Sequence, residues 1–161
     1  MTQDSVGLDR LDRAILRELL RDARISHVAL GQRIGLSPTS CARRIKILED
    51  AGIVAGHQAV LDPKRLGLST TVIVRISLQS QADEALDAFE RAIAACSCVA
   101  RCLLMSGTDD YLVTVLARDI EDFEDIHRRQ LSRLPGVARI QSSFAIREVI
   151  NRPVPPSAVG A

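Results

Sequence analysis

At 161 residues the chain has room for one large domain or two small ones, each with a modest core. A formal net charge of +1 provides no global basic field, and three Phe, one Tyr and no Trp argue against a surface built to stack single-stranded bases. No apolar run reaches the length of a membrane span and the polar start Met1-Thr2-Gln3-Asp4-Ser5 is no signal peptide, so a cytoplasmic protein with reduced thiols and no membrane contact is expected.

In chain order, Leu8, Leu11, Ile15, Leu19 and Leu20 recur at helical spacing, and Asp9 and Asp12 sit where carboxylates favour a helix N-terminus. They predict a first helix over about residues 9–21. Ser26 is placed to cap a second helix over roughly 27–34, in which Gly31 is costly unless a close crossing with the third helix requires it. Gly35 allows the sharp reversal that follows, Ser37 is a good N-cap, and Pro38 fits the first helical position. The third helix, about 38–50, carries Cys41, Ile45 and Leu48 on one stripe. Thr39, Arg43 and Lys46 lie opposite, with Ser40 and Arg44 at the flanks. Short hydroxyls at a helix start and cations through its middle suit base edges and phosphates in a major groove. Ile53-Val54 and Ala59-Val60-Leu61 flank Ala55-Gly56-His57-Gln58 as an expected β-hairpin wing. Three helices and a wing make a winged helix-turn-helix.

Asp62-Pro63-Lys64-Arg65-Leu66-Gly67 is a turn-rich joint, and charge divides there. Residues 1–65 hold 11 Lys/Arg against 8 Asp/Glu, a net of +3; the remainder holds 10 against 12, a net of −2. Beyond the joint, Val72, Val74, Ile76 and Leu78 alternate with polar neighbours as a half-buried strand does. Ala85, Leu86, Phe89, Ala92 and Ile93 form a helix face, and Val99 to Met105 a strand. The loop Ser106-Gly107-Thr108-Asp109-Asp110 and the strand Tyr111 to Ala117 come next. Ile120, Phe123, Ile126, Leu131 and Leu134 line a helix ended by Pro135-Gly136, and Ile140, Ser142, Phe144 and Ile146 alternate on a last strand. The order is βαββαβ, a ferredoxin-like sandwich, so the whole is an α+β protein. Domains are expected at 1–65 and 66–150, with 151–161 a loose tail that lacks any period. Cys96, Cys98 and Cys102 form C-x-C-x₃-C, without the second knuckle of a metal site. Placed on one strand they would face one way as buried thiols, and no metal or cofactor is expected.

These two modules resemble the Lrp/AsnC family, the leucine-responsive or feast/famine regulators. The resemblance spans residues 8–150. It rests on Leu8-Asp9-Arg10-Leu11-Asp12-Arg13-Ala14-Ile15-Leu16, on Gly35-Leu36-Ser37, and on Arg44 through Val54. In the second module it rests on Gly107-x-x-Asp110-Tyr111-Leu112 and Leu134-Pro135-Gly136-Val137. It implies a transcriptional regulator of double-stranded DNA and a RAM/ACT-like C-terminal domain that dimerises and assembles to tetramers or octamers. It also implies modulation by a small effector, usually an amino acid, bound where C-terminal domains meet. Three positions depart from the pattern: Ile47 stands where many relatives carry a cation, His57 replaces an aromatic, and Thr108-Asp109 replaces an acidic-aromatic pair.

The candidate DNA residues are therefore Ser37, Thr39, Ser40, Arg43, Arg44 and Lys46. The candidate effector residues are Gly107, Thr108, Asp109, Asp110, Ser142 and Ser143, with Asp110 expected in the family's shared ligand role and Asp109 in specificity. Two other readings compete, because architecture alone does not settle function. Sirohaem decarboxylases resemble the same two-domain plan, but only His27, His57 and His127 are present and they fall on different elements. The chain is therefore not expected to be an enzyme. The other reading is an architectural protein that wraps DNA and senses no ligand.

Overall fold

A computed structural model describes residues 7–160; the polar start through Val6, and Ala161, lie outside the described residues. The chain forms two compact units, one reaching Val60 and resuming at Ile150, the other Leu61–Val149.

Local signals build the first unit. Helix α1 (Arg10–Arg21) begins with a capping box in which Asp9 accepts from Asp12 N–H and Asp12 accepts from Asp9 N–H. Ser26 caps α2 (His27–Ile34) and Ser37 caps α3 (Pro38–Asp50). Between α2 and α3, Gly35 adopts φ 74°, in the left-handed region where a Cβ is penalised. Ile15, Leu16, Leu30, Cys41, Ile45 and Leu48 form the buried core. The crowding at Gly31 comes first from the turn itself: a Cβ there would lie 2.3 Å from the Leu36 carbonyl oxygen, and 3.6 Å from Cys41 Sγ on α3.

Two expectations are corrected here. Residues 53–62 form no wing hairpin, and Val60 is 98% exposed. Ala59-Val60-Leu61 is a short apolar run that pairs with no strand among the described residues, and a strand without a ladder leaves its backbone groups to water. The segment expected as a loose tail instead belongs with the helical unit. Pro156–Val159 forms a 3₁₀ turn, Val159 is buried in the helical core, and Arg17 Nη1 donates to the Val159 and Gly160 carbonyls at 3.3 and 3.4 Å. One apolar side chain and two carbonyls suffice to dock it, and neither leaves a periodic trace.

The second unit is one antiparallel sheet in the order β2-β3-β1-β4 with two helices on one face. Its elements are β1 (Thr70–Leu78), α4 (Asp83–Ala94), β2 (Val99–Leu104), β3 (Tyr111–Ala117), α5 (Ile120–Arg129) and β4 (Val137–Phe144). Val72, Val74, Ile76 and Leu78 on β1 and Tyr111, Val113, Val115 and Ala117 on β3 are buried beneath Phe89, Ile93, Phe123 and Ile126. Each of the Val, Leu, Ile and Phe side chains among them contributes roughly 1.5–3 kcal/mol on burial. Tyr111 stacks 4.4 Å from Phe89 and donates to Glu90 Oε1 at 2.9 Å; burial, then Glu90, raises its hydroxyl pKa. The opposite face presents Ile73, Leu112 and Leu116, half-buried and uncovered by any helix of this unit.

β4 ends at Phe144, which meets Phe123 edge-on, so Ile146 lies past the strand and is fully exposed. The three cysteines do not share a strand. Cys96 and Cys98 precede β2 and only Cys102 lies on it. All are free and pack against the core, and burial raises all three thiols. Among the described residues no group of His, Cys, Asp and Glu has metal-site geometry.

Candidate functional site

The exposed face of α3 is the first candidate. Thr39, Arg43 and Lys46 all face solvent, opposite buried Cys41, Ile45 and Leu48. Arg43 has no ion-pair partner among the described residues, which leaves its guanidinium open to an incoming anion. Lys46 meets Asp50 at 2.6 Å, one turn along the same helix. That pair raises the ammonium pKa, first by the hydrogen bond and then by charge, so Lys46 stays protonated. An exposed pair of this kind is weak and readily exchanged for phosphate. Ser37 is committed to its cap: Oγ accepts from Ser40 N–H at 3.1 Å and donates to Ser40 Oγ at 2.8 Å. Ile47 is half exposed beside this face. His57 Nε2 lies 3.7 Å from Glu49.

Arg44 is placed differently from Arg43. Its Nη1 bonds Asp9 at 2.8 Å and Asp12 at 2.7 Å, tying α3 to the capping box of α1. Hydrogen bonds to Asp12 and then Asp9 raise the Arg44 pKa, and the Asp9 carboxyl is lowered, chiefly by the Asp12 N–H. α2 is fixed to α1 in a similar way. Buried Glu18 accepts from Arg33 at 2.6 Å and Arg21 at 2.7 Å, and the Arg33 bond leads in lowering its pKa. The arginine at the flank of α3 thus holds the helix in place, while Arg43 and Lys46 face outward.

The second candidate is the loop between β2 and β3. A cavity of about 170 Å³ is lined by Arg75, Met105, Ser106, Gly107, Thr108, Asp109, Tyr111 and Leu112. The two carboxylates differ sharply. Asp110 is 7% exposed and turns inward, with Oδ2 accepting from Leu78 N–H at 2.7 Å and Oδ1 from Gln81 Nε2 at 2.7 Å. Asp109 remains at the cavity, its Oδ1 held by Arg139 at 3.0 Å and Ser77 at 3.3 Å. Ser142 and Ser143 line none of this cavity. They pair with Val74 and Ile73, so they project to opposite faces of the sheet, while Arg139 is the β4 residue that reaches the loop. Sequence reasoning missed Arg75, Met105, Leu112 and Arg139 at this site. Arg75 and Arg139 each left a local signal, a cation between two apolar residues on a strand.

A helix-turn-helix with an outward basic face on α3, followed by a βαββαβ sheet, points to a DNA-binding regulator. Comparison with known proteins places it more narrowly. Residues 71–155 match the Lrp/AsnC ligand-binding domain and residues 8–55 a winged helix-turn-helix DNA-binding domain. The Bkd operon transcriptional regulator of Pseudomonas aeruginosa is 38% identical over 92% of this chain and 97% of its own length. The leucine-responsive regulatory protein of Escherichia coli is 39% identical over 88% of this chain and 87% of its own. Among solved structures, a transcriptional regulator from Neisseria meningitidis in complex with L-Met superposes with a TM-score of 0.88 and 33% identity. That match covers 94% of this chain and 99% of the other. The chain belongs to the Lrp/AsnC family of transcriptional regulators. No helix among the described residues is long and apolar enough to cross a membrane.

Proposed function

We propose that this chain is a cytoplasmic, non-enzymatic regulator that reads double-stranded DNA with the outer face of α3 and answers to an amino acid. Thr39 and Ser40 contact bases or phosphates near the helix start, Arg43 and Lys46 meet phosphates or guanine edges, and Ser37 and Arg44 hold the helix in register. The observation that carries this reading is the outward pair Arg43 and Lys46 on a helix whose opposite stripe is core. The uncovered sheet face with Ile73, Leu112 and Leu116 supports a homodimer, assembling to tetramers or octamers. The loop Gly107–Asp109 is the effector site, with Asp110 bracing it from inside. The L-Met complex of the Neisseria relative supports an amino acid as the effector class.

The test is a titration of the full chain with each of the twenty amino acids, reading DNA binding and sedimentation together. At least one should shift the DNA-binding midpoint by about fivefold or more, or change the assembly, since coupling between sites commonly spans 5–150-fold. DNA binding that ignores all twenty, with unchanged sedimentation, would leave the wrapping protein without a sensor as the better account.

A further inference from the structure

We propose that Arg75 and Asp109 form a clamp for a zwitterion, Arg75 taking the ligand's carboxylate and Asp109 its ammonium. The inference rests on the effector reading above and assigns the groups that would recognise the ligand's two charges.

Arg75 lies on the uncovered face of β1, and its cross-strand neighbours are Leu112 and Gln141. Neither offers a negative charge, and Arg75 has no ion-pair partner among the described residues. Its guanidinium is a planar fork suited to a carboxylate in two parallel hydrogen bonds. Asp109 lines the same cavity. Arg139 and Ser77 both bond its Oδ1, and Oδ2 accepts no bond from a described residue. One free carboxylate oxygen and one free guanidinium at a single cavity match the opposite charges of an α-amino acid. Asp110 does not share this work: it is buried, turned away from the cavity, and braced by Leu78 N–H and Gln81.

Size agrees with the charges. The cavity of about 170 Å³ exceeds the ~30 Å³ share of one water. It falls below the roughly 300–1,000 Å³ of sites for drug-sized ligands. Met105 and Leu112 offer apolar contact for the ligand's side chain. A simple amine lacks the group Arg75 would hold, and a simple carboxylic acid lacks the group Asp109 would hold.

The experiment is calorimetry on the full chain with the twenty L-amino acids and, for those that bind, their carboxamides, which keep the ammonium and lose the carboxylate. In the wild type the carboxamide should bind at least tenfold more weakly than the acid. Arg75→Gln should weaken the acid about tenfold or more, leave the carboxamide within about twofold, and keep the unliganded melting temperature, because the side chain is exposed. Arg75→Lys should recover part of the loss. Asp109→Asn should weaken acid and carboxamide together. An acid that binds Arg75→Gln within twofold of wild type overturns the clamp while leaving the effector reading intact. So does a loss in Arg75→Gln that falls equally on acid and carboxamide. If no amino acid binds the wild type, the effector reading fails, and the clamp with it.

Discussion

Gly31→Ala is expected to destabilise the helical unit by about 3 kcal/mol, the upper part of the usual overpacking range. The added Cβ would sit 2.3 Å from the Leu36 carbonyl oxygen and 3.4 Å from its carbon. Those are backbone atoms, and they cannot swing away as a side chain does. The turn is fixed further by Leu36 N–H donating to the Gly31 carbonyl at 3.0 Å and by Gly35 in its left-handed conformation. Alanine would otherwise favour this helix over glycine by about 1 kcal/mol, so the steric term decides the sign. Because the turn sets the angle between α2 and α3, DNA affinity should fall with stability. Denaturant unfolding with DNA titration measures both, and an alanine variant as stable as wild type would show that the turn can yield.

Asp110→Ala is expected to cost the sheet unit about 3 kcal/mol, since it removes two hydrogen bonds to a charged acceptor and strands a backbone donor. The carboxylate sits beneath the loop and joins it to Leu78 at the end of β1 and to Gln81 beyond it. Asp110→Asn keeps a single acceptor for two donors and should fall between alanine and wild type. Scanning calorimetry of the full chain checks the order. An alanine variant that melts like wild type yet no longer binds its effector would return Asp110 to the ligand role expected from the sequence.

What was legible in the sequence was what local chemistry determines. Ser26 and Ser37 each cap the helix they were expected to cap, and Asp9, expected as a carboxylate near the start of α1, is its N-cap, because a side-chain acceptor and the N–H it satisfies lie within three residues. The alternation of β1 and β3 survives in their burial, since each covers one core face. Positions decided by distant partners were not legible. Arg44 looks like a flank cation until Asp9 and Asp12, more than thirty residues away, claim it. Asp109 and Asp110 are adjacent and chemically alike; which one turns inward depends on donors at Leu78 and Gln81. Ser142 and Ser143 were candidates as polar residues on the last strand, but the register of β4 against β1 brings Arg139 to the loop instead. The expected hairpin at residues 53–62 is absent for a related reason, because the apolar run Ala59 to Leu61 says nothing about whether a pairing strand is present.

That α3 reads DNA can be tested by selecting bound sequences from a random duplex library with the full chain, Arg43→Ala run in parallel. Wild type should enrich a pseudo-palindrome whose half-sites lie about 10 base pairs, or a multiple of one turn, apart. Arg43→Ala, which removes an exposed cation and no core contact, should keep the fold and lose tenfold or more in affinity for that motif. If the lost contact is to a base, preference should relax at one position; if to a phosphate, the salt dependence should drop by about one unit. A library that emerges without enrichment, or a variant that recovers the same motif with the same affinity and salt dependence, would contradict the assignment of α3 as the reading helix.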